Sequence, residues 1–116
     1  MMDLQKSLKE LRSEFGVTAS AVLSRDGLLI ASDIPEGIIA ETFTIMCATM
    51  MGAASTAHSE LKVGQPQVMK VQSKGHEMFI VGAGRRALMV AVAKKGVDAD
   101  KLLEQLNTII DTVEGE

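Results

Sequence analysis

The 116-residue chain contains no tryptophan, no tyrosine and only three phenylalanines. Aromatic platforms on which unpaired bases could stack are therefore nearly absent. A basic excess is missing as well. Twelve Lys and Arg stand against 15 Asp and Glu, a net charge of −3, whereas neutralising a phosphate backbone requires positive charge. Both absences argue against nucleic acid as a partner. With Cys47 as the single cysteine, neither an intrachain disulfide nor a cysteine metal cluster can form. His58 and His76, the two histidines, are too far apart for zinc-ligand spacing. The start, Met1-Met2-Asp3-Leu4-Gln5-Lys6, has no apolar signal core. The expectation is a soluble protein of the reducing cytoplasm, with no metal and no cofactor.

The length suits one domain over residues 1–116, large enough for a core without covalent staples. Hydrophobic residues make up 47% of the chain and the mean hydropathy is +0.19, which is rich for so short a chain. Leu4, Leu8, Leu11 and Phe15 repeat at helical spacing, predicting an amphipathic helix over 3–15 capped by Gly16. Val17–Ser24 alternates as a strand. Arg25-Asp26-Gly27 reads as a tight turn and Leu28–Ser32 as the returning strand, stopped before Pro35. A Pro-free run from Glu36 to about Val63 is expected to be one helix, ended by Gly64 and Pro66. Three strands follow: Gln67–Ser73, His76–Val81 closed by Gly82-Ala83-Gly84, and Arg86–Ala93. The last is apolar on both faces, so it should lie centrally. The first carries Gln67, Lys70, Gln72 and Ser73, so it should lie at an edge. Asp98 is a candidate N-cap for a final helix marked by Leu102, Leu106, Ile109 and Val113, with Glu114-Gly115-Glu116 expected to fray. The order α-β-β-α-β-β-β-α with short hairpin loops implies a layered α+β domain on a five-stranded, mostly antiparallel sheet.

The middle helix breaks the usual pattern. Between Gly37 and Ser59 the only charged residue is Glu41. Ile39, Phe43, Met46, Met50, Ala53 and Ala57 fall in one stripe, which Cys47, Met51 and Ala54 widen; Thr42, Thr49 and Thr56 cover another side. Three readings are open. A transmembrane span has the length but contains several Thr and lacks flanking Lys/Arg. A central core helix of a monomer would need layers on several sides. A helix held between its own sheet and a second subunit accounts for both the apolarity and the methionines, which pack adaptably at interfaces. This last reading makes Ile39, Phe43, Met46, Met50, Ala53 and Ala57 candidate dimer-interface residues. The edge strand adds Val68, Met69, Lys70 and Val71, by pairing with its own copy about a two-fold axis.

Gly16–Ser32, the Ala/Met/Thr-rich helix and the stretch Val81-Gly82-Ala83-Gly84-Arg85-Arg86-Ala87-Leu88-Met89-Val90-Ala91-Val92 together resemble the Roadblock/dynein light-chain family, in its stand-alone prokaryotic form. The resemblance implies a profilin-like α/β sandwich. It implies homodimers or heterodimers in which middle helices pack side by side and third strands join two sheets. It also implies a non-enzymatic role as scaffold or regulator of a Ras-like small GTPase.

Gly82-Ala83-Gly84 is a lone G-x-G followed by a strand, so hairpin chemistry explains it better than a dinucleotide fingerprint. No G-x-x-x-x-G-K-[S/T] occurs, so the chain is not expected to hydrolyse GTP itself. Arg85 and Arg86 at the same turn are candidate GTPase contacts, weighed against an ordinary solvated strand start. Cys47 reads as a small buried hydrophobe, His58 as a rim or capping residue, and His76 and Asp26 as turn residues. No nucleophile–base pair or carboxylate pair emerges. The alternative function is a small-molecule sensor on a profilin-like frame, which would need a concave pocket with convergent polar groups.

Overall fold

In the computed structural model residues 3–114 are described. Met1, Met2, Gly115 and Glu116, on which parts of the leader and frayed-end readings fell, lie outside the described residues. The chain forms α1 (Leu4–Phe15), β1 (Val17–Ser24), β2 (Leu29–Asp33), α2 (Ala40–Leu61), β3 (Val68–Gln72), β4 (His76–Ala83), β5 (Ala87–Lys94) and α3 (Ala99–Glu114). The five strands make one sheet in the order β2-β1-β5-β4-β3, every neighbouring pair antiparallel. β5 is central and β3 lies at an edge, as their side-chain patterns require.

Alternation along the strands builds a core on each side of the sheet. Val22, Phe79, Val81, Met89 and Ala91 point to one face, where Leu8 and Leu11 of α1 and Leu102, Leu106 and Ile109 of α3 close over them. Ala21, Leu23, Ile80, Leu88 and Val90 point to the other, where Cys47 and Met51 of α2 meet them. Fully burying a side chain of this size stabilises by ~1.5–3 kcal/mol, so the wholly buried Leu and Ile set of the first cluster anchors two helices at once.

Local chemistry accounts for the element ends. The Asp3 carboxylate accepts from the Gln5 and Lys6 amides, and Gly16, at φ 71, turns the chain out of α1. The Asp98 side chain accepts from the Lys101 amide at 3.2 Å, in its expected capping role.

Several boundaries differ from expectation. α2 starts at Ala40 rather than Glu36, because Gly37 takes φ 90 and Ile39 is extended at φ −81, ψ 105. It ends at Leu61, before Gly64: Lys62 itself adopts the left-handed conformation at φ 58, and its amide bonds the Ser59 carbonyl at 3.1 Å. β2 runs one residue later than expected, with a bulge between Val22 and Leu23 that leaves Ile30 without a partner on β1. β4 continues through Gly82 and Ala83, which pair with Leu88 and Ala87, so the turn is Gly84–Arg86.

Candidate functional site

The sheet-facing line of α2 is Thr44, Cys47 and Met51, all buried. This corrects the expected stripe, in which Cys47 and Met51 were lateral. Thr44 is tied to the β1–β2 turn: its hydroxyl donates to the Gly27 carbonyl at 3.0 Å. The turn lies close against the helix, for a Cβ on Gly27 would stand 3.1 Å from the Ile45 Cα. α2 is thus clamped by one face while the opposite arc stays outside.

That arc holds most of the candidate stripe. Met46 is 51% and Ile45 48% exposed. Ala53 and Ala57 are exposed, while Phe43 and Met50 are half-buried against the second cluster. Ile39 is exposed but precedes the helix, so it sits at the head of the stripe rather than within it. The threonines on this arc are less polar than they look. Thr49 donates its hydroxyl to the Ile45 carbonyl at 2.8 Å and Thr56 to Gly52 at 3.1 Å. Both donors are satisfied inside the helix, which turns the methyl groups into part of the presented surface. From Thr42 to Ser59 there is no Asp, Glu, Lys or Arg.

The two sheet edges are not equivalent. At β2, Gln5 donates to the Ser32 carbonyl at 2.7 Å, and Arg12 reaches the Asp33 carboxylate at 2.8 Å and its carbonyl at 3.5 Å. Side chains of α1, together with the bulge, therefore obstruct that edge. At β3 no such cover exists among the described residues. The ladder with β4 is flanked by Gly82 N–H to Gln67 O and Ser73 N–H to His76 O, and its register pairs Met69 with Ile80 and Val71 with Met78. In an antiparallel ladder bonded pairs alternate. Gln67, Met69, Val71 and Ser73 thus direct their backbone groups at β4, leaving those of Val68, Lys70 and Gln72 at the open edge. Met69 and Val71 put their side chains on the α2 side of the sheet. Lys70 lies on the other side, 3.3 Å from Glu77 and 5.7 Å from the Phe79 ring centroid.

The remaining candidates separate. Arg85 and Arg86 are exposed in the β4–β5 turn. Sequence reasoning missed Arg25, which donates from Nε and Nη2 to the Gly84 carbonyl at 3.2 and 2.7 Å, and whose amide bonds the Arg86 carbonyl at 3.0 Å. No pattern along the sequence marks this role; in the fold Arg25 lies against Gly82, where an added Cβ would stand 3.0 Å from its Nη2. Cys47 is sealed under α2 and burial pushes its thiol up to about 11, which is the behaviour of a packing residue rather than a nucleophile. His58 is half-buried with an unpartnered Nδ1, while its carbonyl accepts from the Val63 amide. His76 is exposed at the start of β4, and Asp26 is exposed in the first turn. Among the described residues no helix is long and apolar enough to cross a membrane.

Comparison with known proteins bears on this surface. The family model of the Roadblock/LC7 domain matches residues 3–93. The uncharacterised protein MJ0714 of Methanocaldococcus jannaschii is 30% identical over 92 residues, which is 79% of this chain and 78% of that protein. Among solved structures, the Roadblock/LC7 domain from Streptomyces avermitilis superposes with a TM-score of 0.90 at 18% identity, covering 98% of this chain and 97% of that one. MglB in a tetrameric arrangement gives 0.82 at 19% identity over 92% and 82% of the two chains. Profilin II of Acanthamoeba castellanii gives 0.65 at 13% identity over 97% and 98%. The profilin-like architecture expected from the resemblance is therefore the observed one.

Proposed function

The chain belongs to the Roadblock/LC7 domain family, a regulatory family associated with small GTPases, and from that premise we propose that it acts as a non-enzymatic homodimer that binds and regulates a Ras-like small GTPase. The observation that carries the reading is the charge-free outer arc of α2. A monomer gains nothing from keeping Met46, Ile45 and neighbouring methyl groups in water, whereas a second α2 laid along the arc would remove them from it. The open β3 edge supports the same arrangement. Two copies can exchange the outward N–H and C=O groups of Val68, Lys70 and Gln72 about a two-fold axis, and Met69 and Val71 then extend the apolar seam on the α2 side.

Binding to the GTPase should depend on its nucleotide, because only differential affinity couples a platform to a switch. Arg85 and Arg86 serve as docking residues on this reading, and neither supplies a charge essential to hydrolysis. The test is titration of the purified protein with a small GTPase encoded in the same genome, loaded in turn with GDP and a non-hydrolysable GTP analogue. State-dependent binding is expected, weakened when the dimer is broken. No interaction with any such GTPase, in either state, would overturn the reading.

A further inference from the structure

At the end of the sheet where the β1–β2 and β4–β5 turns meet, two adjoining turns carry three arginines in a chain of net charge −3. The contact of the Arg25 amide with Arg86 and of its guanidinium with Gly84 places Arg25, Arg85 and Arg86 on adjoining turns. None of the three is in an ion pair; the pairs among the described residues are Arg12–Asp33 and Lys70–Glu77. Arg25 is also held in place. A guanidinium has five N–H groups, of which the Nε–H and one on Nη2 bond the Gly84 carbonyl, and Gly82 lets it lie against the strand. Its other N–H groups have no acceptor among the described residues.

Arg25 lines a cleft of about 560 Å³ between the start of β3 and the last turns of α3. Gln65, Gln67, Asn107 and Asp111 share its wall, and Val81 and Ile110 contribute apolar surface. One side therefore offers a fixed planar donor set, the arrangement that suits a dianionic oxyanion. The other side offers amides and a carboxylate, which can accept from hydroxyl groups. We propose that this cleft binds a small hydroxylated phosphomonoester, with the phosphate on Arg25 and the hydroxyl-bearing body against Asn107 and Asp111. The site is separate from the α2 arc, although Val68 at its rim also belongs to the open β3 edge.

The experiment is a ¹H–¹⁵N titration of the whole chain with glycerol 3-phosphate, inorganic phosphate and glycerol at matched ionic strength. Glycerol 3-phosphate should give saturable shifts at Gly82, Gly84, Asn107 and the Arg25 Nε–H. Inorganic phosphate should shift the glycines at several-fold higher concentration, and glycerol should shift nothing. Arg25→Gln should weaken glycerol 3-phosphate at least tenfold. Because Arg25 also ties two turns together, Asn107→Leu provides a second probe, on an exposed helix position whose side chain makes no hydrogen bond among the described residues. It should weaken glycerol 3-phosphate while leaving inorganic phosphate unchanged. Shifts that never saturate, that centre instead on the exposed Lys94, Lys95 and Lys101 around the start of α3, or that persist unchanged in both variants would overturn the proposal.

Discussion

Replacing Met46 with glutamate separates a surface exposed to water from one covered by a second subunit. Met46 is already 51% exposed in the single chain. In a monomer the substitution should therefore move stability by no more than ~0.5 kcal/mol. In the proposed dimer the same carboxylate would sit in a desolvated seam with no cation on either α2 arc. An uncompensated buried charge costs ~3–5 kcal/mol, and the two-fold axis introduces it twice. At ~1.4 kcal/mol per tenfold, the dimer dissociation constant should rise at least ~10²-fold. Met50→Glu is a poorer probe, because Met50 also leans on the core of its own chain. Met51→Glu is the folding control, since Met51 is 1% exposed and its charge would be buried in either state. Sedimentation velocity over a wide concentration range, with a denaturant titration alongside, reads both quantities. The expected result is a folded Met46→Glu monomer beside a dimeric parent. A parent that is monomeric at high concentration, or a variant that dimerises as well as the parent, would refute the reasoning.

Three further outcomes follow from local geometry. Val68→Pro or Gln72→Pro removes an outward donor of β3 and should weaken the dimer while leaving the thermal transition of the fold nearly unchanged, whereas Val71→Pro deletes a bond to β4 and should lower the transition itself; equal effects at all three positions would show the inferred alternation to be wrong. Gly27→Ala places a Cβ at φ 95 against the Ile45 backbone and should cost about 1–3 kcal/mol in denaturant unfolding, with a smaller loss counting against the clamp between turn and helix. Cys47 is neutral when folded, and its folded pKa of about 11 lies above the ordinary 9.0. The stability it contributes is thus full below about pH 9 and is lost as pH rises towards 11, by up to about 3 kcal/mol relative to Cys47→Ala; parallel pH profiles for the two proteins would contradict this.

The eight elements were legible because each carries its own short-range pattern. Leu4, Leu8 and Leu11 repeat at helical spacing, and Ala87–Ala93 has no polar residue to offer solvent, which leaves it only a central position. The polarity of Gln67–Ser73 likewise requires an edge position. Asp98 announced its cap by residue type alone. The ends of α2 were not legible because the local signals there are weak: Lys62 ends the helix in a strained left-handed turn two residues before Gly64, and Gly37 delays the start.

Other features depend on residues meeting across the fold. α2 is apolar or small nearly all round, so hydrophobic periodicity could not say which line faces the sheet. Thr44, Cys47 and Met51 were selected by the docking of Gly27 beneath the helix. Which backbone groups of β3 face outward depends on pairing register, and a shift of one residue would exchange Lys70 with Val71. Arg25 looked like turn chemistry because the carbonyl it bonds lies 59 residues away in the chain. Composition and periodicity determined what this protein must bury; the contacts between its turns, helix and strands decided which surfaces it leaves open, because those contacts join residues that have no relation along the sequence.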